Sequence, residues 1–430
     1  MNIPLSRNLV RLLTLVPALC CIELRAIDAG GIDVHGSISA TASYSDTYNY
    51  LGDTRKTLDL NLVDVVLNGT HRFDNGLRVG AQLYAFKIGG YKDIQVDWAS
   101  LDYSFTQAFG VRAGRVKLPL GLYNDTQDLD SVRTFASLPL TFYAKSFRAI
   151  TASLDGVSLY GNVSLNKAGS IDYQVYGGYK QYVKGDAPLL KGSVNVAKYD
   201  KWKFDGPIFG GSIFWNTPIE GLRLGYSYMD ATESTLPGQM AYKAEMHGYA
   251  LATANMVDTA LGAGTWDASF AGTPSSISDI KFEETVYSAE YTKGKWLLAA
   301  EYKLIDLTKG KFNAPVLARL GMPAVQAYSS FVEEYYGAVT YQATDKLGLG
   351  VYYSHENAAR KTAGSNSNPG TYTKDWAAAV SYAVTENWIV KAEVHLMNGR
   401  SQNWVAGDDN GASGTANNWT YLVLKSTFTF

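Results

Sequence analysis

The sequence predicts an all-β protein, a 16-stranded antiparallel transmembrane β-barrel with one long loop turned into its lumen. Three observations predict it. Short segments carry apolar residues at every second position. Their connections are alternately short turns and longer polar loops. The chain ends on an aromatic-rich strand closed by Phe430. Successive strand side chains point to opposite faces, so such alternation makes one apolar and one polar surface. Backbone polar groups cannot stay unpaired in lipid, and a closed sheet is the way strands satisfy them.

Composition agrees. Of 430 residues, 18% are charged and 13% aromatic, with 30 Tyr and 41 Gly. The mean hydropathy of −0.11 is too polar for a bundle of membrane helices. A formal net charge of −2 offers nothing to attract nucleic acid. The N-terminus reads as an export signal: Arg7 and Arg11 precede an apolar stretch over residues 12–22, too short to span a bilayer. Residues 1–26 are the expected signal peptide, with cleavage at 26–29, leaving 32–430 as a single barrel domain. Cys20 and Cys21 both lie in the signal, so the mature chain is expected to have neither disulfides nor a Cys-based metal site.

The strands follow in order. Val34, Gly36, Ile38, Ala40 and Ala42 share one face, and His35, Ser37, Ser39 and Thr41 the other. Residues 57–72 form the second strand, and Asp74-Asn75-Gly76 turns it into the third, with Leu77, Val79, Ala81, Leu83 and Ala85 in a row. Residues 93–105 return, and 111–117 rise again. Later strands fall at 157–165, 171–179, 208–215 and 222–228, followed by a long loop at about 232–280. Hairpins 282–292 with 296–307, 331–342 with 346–356, and 372–384 with 388–397 precede the closing strand 419–430. Seven short connections, around Asn75, Ala108, Ala168, Ile219, Gly294, Asp345 and Glu386, alternate with eight longer ones. Trp296, Trp388, Tyr341 and Tyr382 fall beside short turns, where an aromatic girdle would meet the lipid boundary.

Residues 114–148 break this rhythm. Pro119 and Pro139 cannot donate to a ladder, and Asn124, Asp125, Asp128 and Asp130 favour turns. Leu129, Phe135 and Leu138 need a surface to pack on, which predicts a loop folded into the barrel mouth, with residues 126–139 narrowing it.

The signal, the amphipathic strands and the C-terminal Phe430 resemble the trimeric outer-membrane porins of Gram-negative bacteria. The run Gly114-Arg115-Val116-Lys117-Leu118-Pro119-Leu120-Gly121-Leu122 is similar to the stretch leading into the third loop of the phosphate-selective (O/P-type) porins and their uncharacterised relatives. The resemblance implies a homotrimer in the bacterial outer membrane that passes small hydrophilic solutes passively. It also implies insertion by a barrel-assembly machinery that reads the Phe430 strand. The strongly basic lumen of that family is not evident here, so phosphate selectivity is not carried over.

Catalytic and metal motifs are missing from the sequence: His35, His71, His247, His355 and His395 are scattered, and there is no Walker loop, GxSxG or HExxH. No cofactor and no enzymatic activity are expected; a barrel enzyme or an adhesin is the alternative class. Selectivity must then come from charge. Asp125, Asp128, Asp130, Arg133, Lys145 and Arg148 are the candidate constriction residues. By parity, Asp64, Asp102, Arg223, Glu290, Glu301, Lys303 and Glu334 face the lumen, as do Lys391, Glu393 and Lys425. Lys391 and Lys425 should lie at one height with His35 beside them, facing the three loop aspartates across a water-filled gap. Arg115 and Lys117 share parity with Val111 and Ala113, the apparent lipid face. Either they stand at the rim or a bulge near Gly114 turns them inward.

Overall fold

The computed structural model describes residues 27–28, 31–88, 91–144, 148–183, 201–204, 206–237, 249–269, 276–361, 367, 369–401 and 416–430. Sixteen long strands close into one antiparallel barrel. They are β1 (Asp33–Ser45), β2 (Asp59–Arg72), β3 (Leu77–Ile88), β4 (Tyr91–Thr106), β5 (Phe109–Lys117), β6 (Ser153–Ser164), β7 (Ser170–Tyr179) and β8 (Ile208–Asn216). Then come β9 (Leu222–Pro237), β10 (Ser276–Lys293), β11 (Trp296–Asn313), β12 (Val325–Gln342), β13 (Leu347–Asn357), β14 (Tyr372–Ala383), β15 (Trp388–Gly399) and β16 (Asn418–Thr429). Each pairs with the next, and β16 returns to β1 in a register running from Tyr421↔Ser45 to Thr429↔Ser37. Short strands Ile27–Asp28, Gln181–Val183 and Lys201–Phe204 extend the rims. The expected signal segment, residues 1–26, lies outside the described residues.

The closure seals on the last residue. Phe430 exchanges backbone hydrogen bonds with Gly36 at 2.9 and 3.0 Å. Its ring stands 2.5 Å from where a Cβ on Gly36 would lie, and the Val66 carbonyl oxygen 2.8 Å from it, so a side chain there would push on the neighbouring strand's backbone.

Two connections differ from the sequence reading. Only residues 89–90 separate Ile88 from Tyr91, so β3 and β4 form a tight hairpin where a longer loop was expected. Aromatic and β-branched residues carry pairing up to Ile88↔Tyr91. Likewise β9 and β10 take up both ends of the expected 232–280 loop, with register shifts between Ala231 and Ser234 and between Ser234 and Leu236. Bulges let a ladder continue through a sequence whose alternation has slipped. A helix, Tyr249–Leu261, lies within what remains.

The outer wall is apolar: Ile38, Leu83, Leu101, Val175, Leu298 and Val380 are exposed on it. Trp296 pairs directly with Tyr341, their ring centroids 4.5 Å apart, beside a short turn. No helix among the described residues is long and apolar enough to cross a membrane. The alternate positions Ser39, Thr41, Ser158, Ser227, Glu301 and Lys391 are buried.

The core lies inside the barrel, between its wall and the long segment 118–152. Leu118 and Leu120 pack with Val116, Tyr176, Met229 and Phe282. Phe135, Leu138 and Phe142 pack with Tyr336 and Tyr352. From the first long loop, Tyr48 and Tyr50 meet Trp419 edge-on at 5.7 and 5.3 Å, and Ala136 and Leu140 join the same cluster. At about 1.5–3 kcal/mol for each fully buried large apolar side chain, these contacts supply much of what orders the segment.

Candidate functional site

Segment 118–152 meets inward-facing side chains on nearly every side of the barrel. Four buried polar anchors fix it, and each pairs a backbone or side-chain group of the segment with a charge on a strand.

The first anchor joins the segment to β15 and β16. Lys391 and Lys425 are directly opposed across these strands. Lys425 Nζ lies 3.0 Å from Asp130 Oδ1, and Lys391 Nζ donates to the Asp130 carbonyl at 2.6 Å and to the Phe135 carbonyl at 3.0 Å. Thr427 donates to Asp130 Oδ2 at 2.5 Å, and Arg133 Nη2 lies 3.2 Å from Oδ1. Burial alone would raise the Asp130 pKa, but Lys425, Lys391 and Arg133 together outweigh it and hold the carboxyl well below the usual range. Next to this cluster the Ser137 amide donates to Glu393 at 3.1 Å.

The second anchor is Glu301 on β11. It accepts from the Leu122 amide at 2.8 Å, from Ser288 at 2.5 Å, from Tyr336 at 2.8 Å and from Tyr143. The Gly121 amide beside it donates to Ser227 at 3.1 Å. In the third, Lys303 pairs with Glu334 at 2.6 Å and donates to the Phe142 carbonyl, its ammonium 4.3 Å from the Phe142 ring centre. The fourth is Arg148, bonded to Asp97 at 2.6 Å and lying 4.2 Å over the Tyr84 ring. There Asp128 takes Lys117 at 2.8 Å and Gln82 at 2.5 Å.

Small residues make room for these contacts. On β13, Gly350 faces the Phe135 ring, which an added Cβ would meet at 2.8 Å. Phe135 in turn stands edge-on to Tyr352 at 5.1 Å.

On the β3–β7 side lies a separate cavity of about 180 Å³ carrying Arg78, Asp102, Arg112, Arg115, Lys117 and Asp125. Arg112 pairs with Asp102 at 2.9 Å, and Arg115 with Asp155 at 2.7 Å. Gly114 has φ of +122°, and an added Cβ would lie 2.4 Å from the Ala99 carbonyl. The ladder stays in step through it, from Asp102↔Arg112 to Ala99↔Arg115. The ladder in step keeps Arg115 on the face of Val111 and Ala113, where it pairs with Asp155 beside the exposed Val157 and Leu159, whereas Lys117 at the strand end reaches inward to Asp97 and Asp128.

The expected site residues thus divide. Asp128, Asp130, Arg148, Lys391, Glu393 and Lys425 come together with the segment, but as buried partners. The water-filled gap expected between the lysines and Asp130 is closed, because Asp130 lies directly on both ammonium groups. His35 is not beside the lysines: Lys425 pairs with Thr41, and His35 pairs with Asn68 toward the opposite end of its strand. A count from strand ends misplaced it, since closure staggers β1 against β16. Leu129 is exposed and anchors nothing, whereas Phe135 and Leu138 are buried. Asp125 is exposed, Arg133 bridges the first anchor, and Lys145 lies outside the described residues. Among the described residues no cluster of His, Cys, Asp and Glu is set to hold a metal. Sequence reasoning missed Asp97, which sits at a register shift between Gln82 and Leu83 that reverses parity. It also missed Arg112, whose parity opposite Val111 and Ala113 was readable.

No protein-family model matches the chain. An uncharacterised protein of Aquifex aeolicus is 28% identical over 142 residues, 31% of this chain, and the match spans only 31% of that relative's length. Among solved structures, the anion-selective porin from Comamonas acidovorans is 12% identical, with 93% of this chain and 99% of that one aligned at a TM-score of 0.53. The outer-membrane channel DcaP of Acinetobacter baumannii is 8% identical over 95% and 100% of the two chains, at 0.53. OmpT of Vibrio cholerae, in its trimer form, is 13% identical over 94% and 100%, at 0.51. The fold of this chain is that of the 16-stranded outer-membrane porin barrel.

Proposed function

We propose that the chain is an outer-membrane porin, a water-filled channel for passive diffusion of small hydrophilic solutes, with segment 118–152 as its constriction. The observation that carries this reading is the closed barrel with an apolar exterior and a long segment pinned across its interior by four polar anchors. A wall built to be sealed would need no such segment, and a segment held this firmly sets a fixed aperture. The carboxylates of Asp97, Asp130 and Glu301 each accept several hydrogen bonds or ion pairs, which suits anchoring better than acid–base work and favours a channel over an enzyme. Reconstitution into a planar bilayer tests it: stepwise conductance is expected, and a silent membrane with a correctly folded barrel overturns it.

Within that reading, the cavity with Arg78, Arg112, Arg115 and Lys117 against Asp102 and Asp125 favours anions over cations. A homotrimer is the expected assembly, as in the trimer form of the Vibrio cholerae neighbour. An apolar outer groove over β2–β5, lined by small residues including Gly69, Ala81, Ala99 and Ala113, suits close approach of a second copy. The mass of the detergent-solubilised protein by light scattering checks it.

A further inference from the structure

A second cavity, of about 270 Å³, lies between the segment and the wall on the β10–β12 side. It differs from the charged cavity in its cluster of aromatic rings and in having no carboxylate among its described lining residues. From the segment come Tyr123, Phe135 and Leu138, and from the wall Tyr336, Leu297 and Ala338, an aromatic and aliphatic lining. The two tyrosines have their hydroxyls committed elsewhere, Tyr123 to Glu290 at 2.9 Å and Tyr336 to Glu301 at 2.8 Å. Their rings are therefore what they offer to the cavity. The charged groups lining it are Arg133 and Lys295, and among the described residues no carboxylate does. Arg133 uses its two terminal nitrogens on Gln127, Thr126 and Asp130, while its Nε is buried and hydrogen-bonded to nothing. Arg133 therefore meets the cavity as a charge held in place by the segment.

We infer that this cavity is a binding site for a small solute joining one ring-sized apolar body to one carboxylate. The ring lies among Tyr123, Phe135 and Tyr336, and the carboxylate lies toward the positive charges of Arg133 and Lys295. The volume is at the small end of ligand pockets, which suits a single ring and excludes larger bodies. Aromatic faces prefer a planar apolar partner to a hydrated ion, and a site with cations and no acid selects an anion. The inference rests on the channel reading for the solute's route of entry. The charged cavity would attract anions in general, and this one would retain those with a ring.

The test measures binding and conductance separately on the purified full chain. Equilibrium titrations use benzoate, with benzyl alcohol as the neutral ring and acetate as the ringless anion. Benzoate is expected to bind at least about tenfold more tightly than either. Arg133→Gln should bring benzoate down to the level of benzyl alcohol. Because Arg133 also touches Asp130, a second variant acts from the wall alone: Thr340→Phe fills the cavity and should abolish benzoate binding. Equal affinities for benzoate and acetate, or benzoate binding that survives Thr340→Phe in a folded barrel, would overturn the site. Conductance steps without benzoate binding reject this inference and leave the channel. Benzoate binding in a protein that never conducts keeps the site and rejects the channel.

Discussion

The two flanks of segment 118–152 are both rich in charge, and they use it in opposite ways. Against β15 and β16, Lys391 and Lys425 are 1% and 3% exposed and close on Asp130. Against β4 and β5, the side chains of Arg112 and Asp102 are 27% and 13% exposed and pair in the charged cavity. The first set has surrendered its field to local partners and gained position. The second is screened but still faces passing ions. A count of lumen charges would weigh the two sets equally, and burial separates them.

The largest effect should follow from breaking the buried set. Asp130→Asn takes from Lys391 and Lys425 the carboxylate they share, leaving Asp64 at 3.9 Å from Lys425 as a weaker substitute, a change of the class that costs about 3–5 kcal/mol. The segment should detach there, and unit conductance should rise toward that of a variant lacking residues 126–139. Unchanged conductance for both variants, with the barrel assembled, would mean that the segment does not set the aperture.

Removing the whole buried set should do less than removing one member. In Asp130→Asn combined with Lys391→Gln and Lys425→Gln, the two buried ammonium groups are gone, Arg133 and Asp64 are the charges that lose a partner, and amide hydrogen bonds remain available. Conductance and thermal stability should lie closer to wild type than in Asp130→Asn alone. A triple variant worse than the single one would mean that the ion pairs attract more than they cost to desolvate.

Acid should reach the buried set late. The Asp130 carboxyl is held below its ordinary value, so its stabilisation is full above the unfolded value of about 3.9 and is lost only as pH falls through the lowered one. Unit conductance should therefore stay level from neutral pH down to about 4, attributing any fall in that range to other groups. A rise already complete near pH 5 would show that Asp130 is not held as described.

The same contrast explains what could be read from sequence. All sixteen strands followed from alternation because lipid on one side and water or polar groups on the other impose a period of two. The inward face of Lys391, Lys425, Glu301 and Lys303 followed from the same parity. What parity could not tell was depth of burial: Asp130 reads as another loop aspartate until the closure register brings Lys425 over it. There was one overlooked signal. On β14, Ala377-Ala378-Ala379-Val380 is apolar at both parities, and Ala377 and Ala379 turn out to lie in the cluster with Phe135 and Leu138. Where an amphipathic strand turns apolar on its wet face, something dry covers it. Gly114 could be flagged from sequence as a departure point, but its positive φ depends on the surrounding sheet.

The smallest effect, and the most direct test of the contrast, is on ion selectivity. Arg78 and Arg112 line the charged cavity, and the Arg112 side chain is 27% exposed and bound to Asp102. Replacing both by Gln leaves Asp102 uncompensated beside the path, so the reversal potential in a KCl gradient should move toward cations. The shift should shrink as salt rises, since solvent-facing charges act over a Debye length of about 8 Å at physiological ionic strength. Lys391→Gln with Lys425→Gln removes as many positive charges. Its expected signature is a change in unit conductance as Asp130 loses its hold, with a smaller change in reversal potential. If the lysine pair moves the reversal potential as far as the arginine pair while unit conductance stays at the wild-type value, then buried charge does project into the pore. The division between anchoring and selecting residues would then fall.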